Sequence, residues 1–429
     1  MDHFFDLFLA EARGRIKRYL ESQGDSSYGT FLARIKMLEA PRPEAEPSAR
    51  VAAVDGGIGA VELANGHRVI IARAAAVGPG ISKRELIVDV EPVDSKALPW
   101  AYLTLVESLA ATRAIQEGGL DYLLMDGSLY AKAIMLIHNL ILTREFQALF
   151  YIPEFIAALN ALAELVVQAE GAGVKLVFVS KDSRFKVLKE YAAFEALKGR
   201  IDDYIVERGL SWYSIMWLRR FRKELLREYQ RMRGDYEAAA AFDLLFRQSV
   251  TDSAFLAGMA PRTYTMPMLL GACDAYMSHK GLTSVGKLRA AVRDRVEDAL
   301  IFRREPRASL DEYAAMAERA LSSLPKILLF YLKPAQGAEP LMVEVPLKGS
   351  RMFDGPSVKA FYPRAEVDDV VSLLLSQYRD EAHYNAWLYY AHTVASFKSS
   401  QLSLYAVYIR QMLGGAAAAA RRVKMALGI

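Results

Sequence analysis

Three carboxylates and one imidazole, Asp55, Glu107, Asp126 and His392, are the residues whose types and placement best suit chemistry in this 429-residue chain. Each falls where the local sequence predicts a different element. Asp55 closes the apolar run Val51-Ala52-Ala53-Val54, Glu107 lies within a helical stretch, Asp126 closes Tyr122-Leu123-Leu124-Met125, and His392 lies in a late helix. Hard divalent cations take carboxylate oxygens held on rigid supports. Two strand-end aspartates beside one helical glutamate can hold a pair of Mg²⁺ or Mn²⁺ ions for phosphodiester cleavage.

Taken singly, these residues have plainer readings. Asp55-Gly56-Gly57 and Asp126-Gly127-Ser128 both fit a turn after a strand, and the second also fits the N-cap of a following helix. Their joint weight comes from two Asp-Gly pairs, each closing an apolar strand, whose carboxylates meet if the strands are parallel neighbours. Glu107 shares its helical face with Leu103, Ala110, Ala111 and Ala114, so a carboxylate sits inside a small apolar stripe and needs a metal, an arginine or backbone amides as partner. His392 shares a face with Leu388, Tyr389 and Ser396, whereas His383 points to the opposite side. A lone histidine is usually structural, but a neutral imidazole can complete a carboxylate-rich Mn²⁺ site or orient the attacking water. Lys181 and Asp182 close the strand beside that of Asp126, where a lysine can offset phosphate charge or simply mark an exposed strand end.

The elements needed to position these groups are legible in outline. Residues 1–23 read as an amphipathic helix, followed by a linker marked by Pro41, Pro43 and Pro47. Val51–Asp55, Gly59–Leu63, Val69–Val77 and Leu86–Val90 read as strands of an antiparallel meander, with Asn65-Gly66 at a hairpin. A helix over Leu98–Glu117 starts with Pro99 in its first turn and stops at Gly118-Gly119. Tyr122–Met125 and Val174–Ser180 are buried-strand candidates separated by helices, as parallel strands require. Residues 212–248 are helical and basic, 262–325 mostly helical. Ile327–Lys333 and Met342–Val345 return to strand, and helices over Glu366–Tyr378 and Glu381–Lys398 precede an apolar helix and the Ala-rich run 416–420. The expected fold is α/β, an RNase H-like mixed sheet flanked by helices. Its expected parts are an N-terminal helical extension (1–48), the first part of the core (49–210), a helical basic insertion (211–325) and the C-terminal part of the core (326–429).

Composition bounds the class. With 53% apolar and 24% charged residues the chain can bury a substantial core. One cysteine, Cys273, excludes an internal disulfide and a zinc–cysteine site and suits a reducing cytosol. The first nine residues carry two acids where a secretory signal carries basic residues, and no span of roughly 20 apolar residues lacks a charge, so a soluble cytoplasmic protein without a membrane partner is expected. A net charge of +4 permits a nucleic-acid ligand without implying one.

Ala53-Val54-Asp55-Gly56-Gly57, Glu107, Leu123 through Leu129, Val179 through Arg184, Val343-Glu344-Val345-Pro346 and Tyr384-Asn385 through Ala391-His392 together resemble, in order, the signature blocks of the NurA nucleases. That resemblance implies an RNase H-like, Mn²⁺-dependent DNA nuclease of the single-strand endonuclease and 5′–3′ exonuclease type. It implies a homodimer that works with the hexameric HerA ATPase in DNA end resection and repair. It carries metal or catalytic roles onto Asp55, Glu107, Asp126 and His392. Gly57 departs from the family's usual serine, and Asn385 from its commoner proline.

The mechanism expected is in-line attack of a metal-activated water with two ions per site, Mn²⁺ or alternatively Mg²⁺. Asp55 bridges both ions, Glu107 and Asp126 complete the pair, and His392 holds the second ion or the water. Lys181 supplies supporting charge. Arg219, Arg220, Arg222, Lys223 and Arg227 track the DNA backbone or form a solvated face. Two other classes fit the same residues: a non-catalytic nucleic-acid-binding or ATPase-scaffolding module, and a transposase- or resolvase-type enzyme of the same fold.

Overall fold

The computed structural model describes residues 4–24, 28–42, 49–63, 66–91, 94–143, 146–181, 183–212, 215–272, 275–301, 308–355, 358–359, 361, 367–413 and 423–425. Pro43, Pro47, Asn65, Asp182, Cys273, Glu366 and the Ala-rich run 416–420 lie outside them. The described strands are β1 (Met37–Glu39), β2 (Val51–Glu62), β3 (Arg68–Gly78), β4 (Ile81–Glu91), β5 (Tyr122–Asp126), β6 (Lys175–Ser180), β7 (Thr263–Thr265), β8 (Met268–Leu270), β9 (Ile327–Lys333), β10 (Leu341–Pro346), β11 (Val358–Lys359) and β12 (Val423–Met425).

They form one mixed sheet in the order β1-β7-β9-β10-β6-β5-β2-β3-β4, with β8 also on β9, β11 on β8 and β12 on β2. β5 is parallel to both neighbours, Val54 pairing with Met125 and Met125 with Phe178, and the other pairings are antiparallel. Parallel pairing demands crossovers, and the helices Leu98–Gln116 and Ile152–Ala172 supply them. The sheet is the RNase H-like mixed sheet expected.

The strand alternation divides the core. Ala52, Val54, Leu123, Met125, Leu176 and Phe178 belong to one apolar cluster with the helices Leu98–Gln116, Leu129–Ile137 and Ile152–Ala172. Val51, Ala53, Leu124, Val177, Val179 and Val343 belong to a second with Val370, Val371 and Leu374 of the helix Asp368–Gln377 and Leu388 and Ala391 of the helix Ala386–Ala395. A sheet buried on both faces explains why β5, β6 and β9 read as apolar runs without polar alternation. Ile152–Ala172 is the one described helix long and apolar enough to cross a membrane, and 67% of its most apolar window is buried inside the fold.

Several expectations are corrected. Asp55 does not end a strand: β2 continues through Gly56 and Gly57 because β3 keeps pairing with it, Gly56 against Ala74 and Gly57 against Arg73. β1 lies in the segment expected to be a helical extension, and β7 and β8 lie in the segment expected to be mostly helical, yet all three join the sheet. Three-residue strands are too short for a periodicity to register. Residues 381–385 are not helical, and the Asn385 side chain instead accepts from the amides of Trp387 and Leu388 to start the helix Ala386–Ala395.

The two glycines after Asp55 make room. A Cβ on Gly56 would collide with Leu103 Cδ1 and stand 2.8 Å from Glu107 Oε1. One on Gly57 would stand 2.6 Å from the Ala395 carbonyl oxygen. That same carbonyl accepts from Arg73 Nε at 2.6 Å, and the Arg73 guanidinium also donates to Ser396 O and stacks 4.0 Å over Phe397, so the end of the helix Ala386–Ala395 is fixed against the strand.

Buried carboxylates close the helix starts that follow β5 and β6. Glu344, fully buried on β10, accepts from Ser128 Oγ at 2.7 Å and from the Tyr130 amide at 3.1 Å at the start of the helix Leu129–Ile137. Asp252, also fully buried, accepts from the amides of Leu188 and Lys189 at the start of the helix Val187–Leu197. Desolvation raises the pKa of Glu344 to about 7, although the Ser128 hydroxyl and the helix amides favour its charged form.

Gly57→Ala should destabilise the protein by about 1–3 kcal/mol, because the carbonyl it meets belongs to backbone that cannot swing away. Gly171→Ala, on a helix with nothing within 4 Å of the added carbon, should stabilise it by up to about 1 kcal/mol. Urea denaturation of both variants checks the opposite signs. A second expectation concerns pH. Because the folded pKa of Glu344, about 7, exceeds the ordinary 4.5, its folding advantage is complete below pH 4.5 and is lost as pH rises through 7. Stability of the native protein relative to Glu344→Gln should therefore fall by up to about 3 kcal/mol between pH 4.5 and 8. Parallel stability curves would contradict this.

Candidate active site at the carboxyl end of the parallel strands

Asp126 is the last residue of β5, and Asp55 sits one position beyond the Val54–Met125 pair on the adjoining β2. The two aspartates therefore share the sheet face that carries the helix Ala386–Ala395. Glu107 comes from the helix packed on the other face and reaches the strand over Gly56, where no side chain intervenes. Asp55 and Glu107 are 5% and 4% exposed.

A fourth charge holds this group together. Lys132, on the helix Leu129–Ile137, places its Nζ 2.6 Å from Glu107 Oε2 and 2.9 Å from the Asp126 carbonyl oxygen. Its side chain is only 15% exposed. Sequence reading did not single it out, although a lone cation in the apolar stretch Leu129–Ile137, six residues after Asp126, was a usable signal.

His392 Nδ1 lies 2.7 Å from Asp55 Oδ2, and its Nε2 lies 3.0 Å from Ser396 Oγ. A carboxylate can only accept, so the ring donates from Nδ1 to Asp55. The other Asp55 oxygen, Oδ1, accepts from the Gly56 amide at 2.6 Å. Tyr384 donates to Asp126 Oδ1 at 2.8 Å, a contact that sequence reading also missed, although Tyr384 lies in the same motif as His392. Lys181 is exposed just after β6, with its Nζ 5.9 Å from the centre of the Tyr384 ring.

The electrostatics follow from crowding. Desolvation, offset in part by Lys132 and reinforced by Asp55 and Asp126, lifts the Glu107 pKa to about 7. Asp126 rises to about 6 through desolvation and the Asp55 charge, against the Tyr384 hydrogen bond and the charges of Lys132 and His392. Burial works against the charged form of Lys132, but Glu107, Asp126 and Asp55 outweigh it and its pKa is raised. The hydrogen bond to Asp55 raises that of His392, with burial and Lys181 opposing.

The fold thus links Asp55 directly to His392, and links Glu107 to the Asp126 backbone through Lys132. Among the described residues no three histidine, cysteine, aspartate or glutamate side chains already surround a single point as a closed metal cage. The donor set nonetheless suits a hard cation: three oxygen-bearing groups on two strands and a helix, short of positive charge apart from Lys132.

The basic residues Arg219, Arg220, Arg222, Lys223 and Arg227 are exposed on the helix Arg219–Arg231. Arg220 pairs with Glu224 at 3.0 Å. This helix packs on Tyr236–Phe246, which in turn packs on Val187–Leu197, outside the elements that carry the carboxylates.

Comparison with known proteins adds to this geometry. The crystal structure of the NurA nuclease from Sulfolobus solfataricus matches with a TM-score of 0.53 over 96% of this chain and 98% of that one, at 13% identity, and so shares the fold. A crystal structure of NurA bound to dAMP and manganese matches with a TM-score of 0.38 over 93% of this chain and 97% of that one, at 16% identity. No curated protein matches. A family model described as the NurA domain matches residues 49–397, a span that includes Asp55, Glu107, Lys132, Asp126, Tyr384 and His392. The chain belongs to the NurA family.

Proposed function

We propose that this chain is a metal-dependent deoxyribonuclease that hydrolyses DNA phosphodiester bonds. The observation that carries the reading is the concentration of Asp55, Glu107 and Asp126 at the carboxyl end of one parallel strand pair, two of them with pKa values lifted well above the carboxylate range. Family membership agrees with it.

Asp55, Glu107 and Asp126 are the residues that hold Mn²⁺, with Mg²⁺ as the alternative ion. Bound there, the cation supplies Lewis-acid stabilisation of phosphate charge and lowers the pKa of water. The chain's own residues do the positioning. Tyr384 fixes the rotation of the Asp126 carboxylate, and His392 fixes that of Asp55. His392 keeps its proton at Nδ1 against Asp55, which leaves Nε2 to accept from a water in place of the Ser396 hydroxyl. Lys181, exposed at the end of the neighbouring strand, offsets charge on the scissile phosphate. The cations of the helix Arg219–Arg231 hold the DNA backbone further along.

Single-strand endonuclease and 5′–3′ exonuclease action, with a HerA-type hexameric ATPase in end resection and repair, is the wider role that the family resemblance supports. A homodimer accords with two apolar surfaces. On β4, Leu86, Val88 and Val90 are 56, 55 and 44% exposed on one face of a sheet-edge strand, and Phe4, Phe5, Leu7 and Phe8 are exposed at the first helix.

On labelled linear DNA with Mn²⁺, Asp55→Ala, Glu107→Gln and Asp126→Ala should each slow cleavage by roughly 100-fold or more, about 2.7 kcal/mol of barrier. Wild-type rates in any of the three would reject the assignment. Mn²⁺ should raise the melting temperature of the native protein but not of Asp126→Ala. Light scattering should give twice the 47.8 kDa chain mass at micromolar concentration, and a HerA-type ATPase with ATP should accelerate digestion of long duplex. A monomeric mass or an unchanged rate counts against the respective half.

A further inference from the structure

We propose that a basic cleft beside the carboxylate site, centred on Lys333 and Arg184, anchors a non-scissile backbone phosphate of the DNA strand. This rests on the deoxyribonuclease reading above and adds a subsite to it. The cleft has a volume of about 1150 Å³, and its walls come from the segment after β6, the helix Asp252–Phe255 with the turn that follows, the end of β9 and the loop 336–340. A smaller cleft of about 570 Å³ shares Lys181, Ala338 and Glu339 with it and reaches Tyr384, whose hydroxyl donates to Asp126. A strand held at the carboxylates can therefore continue past Lys181 into the larger cleft.

Lys333 is short of partners. It is 6% exposed at the end of β9, yet its ammonium, with three protons to donate, reaches one described acceptor, the Ala257 carbonyl oxygen at 3.0 Å, and forms no ion pair with a described carboxylate. Burial lowers its pKa, with Glu339 and Glu381 opposing from longer range, so an anion in the cleft would restore part of what the ammonium lost on leaving water. Lys181 and Arg184 line the same cleft, both exposed and neither paired with a described acid, and Glu339 is the one acid among the described lining residues. Thr251, also in the wall, accepts from the Ala254 amide and keeps its hydroxyl proton to donate. An ammonium, a guanidinium fork and a hydroxyl, all donors, match the oxygens of a phosphodiester. The rim is held by an unusual backbone. Arg262, next to the lining Pro261, has a φ of 57°, the one positive value among the described non-glycine residues, and its amide donates to the Lys333 carbonyl at 2.8 Å, which fixes the point from which the Lys333 side chain starts.

The test is steady-state cleavage of a labelled oligothymidylate with Mn²⁺, repeated over a series of salt concentrations. Lys333→Met and Arg184→Ala should each raise KM roughly 10-fold, with the loss falling on KM rather than on kcat, because a charge-assisted hydrogen bond to a phosphate away from the reacting centre is made equally before and during reaction. Each should also reduce the slope of log KM against log salt by ~0.7, the share of one neutralised phosphate on a single strand. Arg184→Lys, which keeps the charge, should retain the native slope, a rescue that a merely structural role would not give. An unchanged KM in Arg184→Ala, or a loss confined to kcat, would overturn the subsite while leaving the nuclease reading intact. No cleavage by the native protein would instead overturn that reading and this inference with it. If Lys333→Met lacks the native circular dichroism spectrum, Lys333→Gln replaces it, and Arg184→Ala, at an exposed position, still decides against the proposal if its KM is native.

Discussion

Negative charge kept out of water has to be balanced, and the centre of this molecule is arranged around that requirement. Asp55, Glu107 and Asp126 come from two strands and a helix, and the parallel pairing of β2 with β5 leaves the two aspartates no way to separate. Their mutual repulsion and the loss of solvation are met by the ammonium of Lys132, from a helix placed by the same turn that follows Asp126, together with His392 and the Tyr384 hydroxyl at Asp126.

Small residues do as much as charged ones. Glu107 approaches β2 because position 56 has no side chain, and the helix bearing His392 lies against β2 because position 57 has none. The glycine at 57 is thus accounted for by packing: the Ala395 carbonyl occupies the space that a side chain would need, and Arg73 holds that carbonyl in place. The orientation of His392 toward Asp55 depends on this backbone-to-backbone approach as much as on the imidazole itself.

Much of this was legible in the sequence. The apolar runs ending at Asp55 and Asp126 located β2 and β5, Pro99 and Gly118-Gly119 bounded the Glu107 helix closely, and the apolar stripe around Glu107 signalled its burial. What escaped was long-range. Asp-Gly-Gly carried a turn signal because glycine is common in turns, whereas here β3 continues the ladder, Gly56 answers to the helix Leu98–Gln116, and Gly57 answers to the helix Ala386–Ala395, whose His392 reaches Asp55 across 337 positions of sequence. The contacts of Lys132, Tyr384 and Glu344 were not legible, even where the residues themselves stood out, because only tertiary packing brings them to Glu107, Asp126 and Ser128 respectively. β1, β7 and β8 acquire strand character from partners already in the sheet, not from their own three residues.

The helix starts beyond β5 and β6 carry one more implication. Open helix N-termini at the carboxyl edge of a parallel sheet commonly receive phosphates, their free amides acting as the first anchor. Here Glu344 and Asp252 fill both with acidic side chains of the protein itself. On the function proposed above, a polyanion arriving at this edge would find those amides already taken by the protein's own carboxylates, so that its retention would fall to bound cations and to basic side chains such as Lys181. Under that reading, cations would serve substrate retention as well as turnover, and chelation would be felt as loss of affinity before any bond is broken.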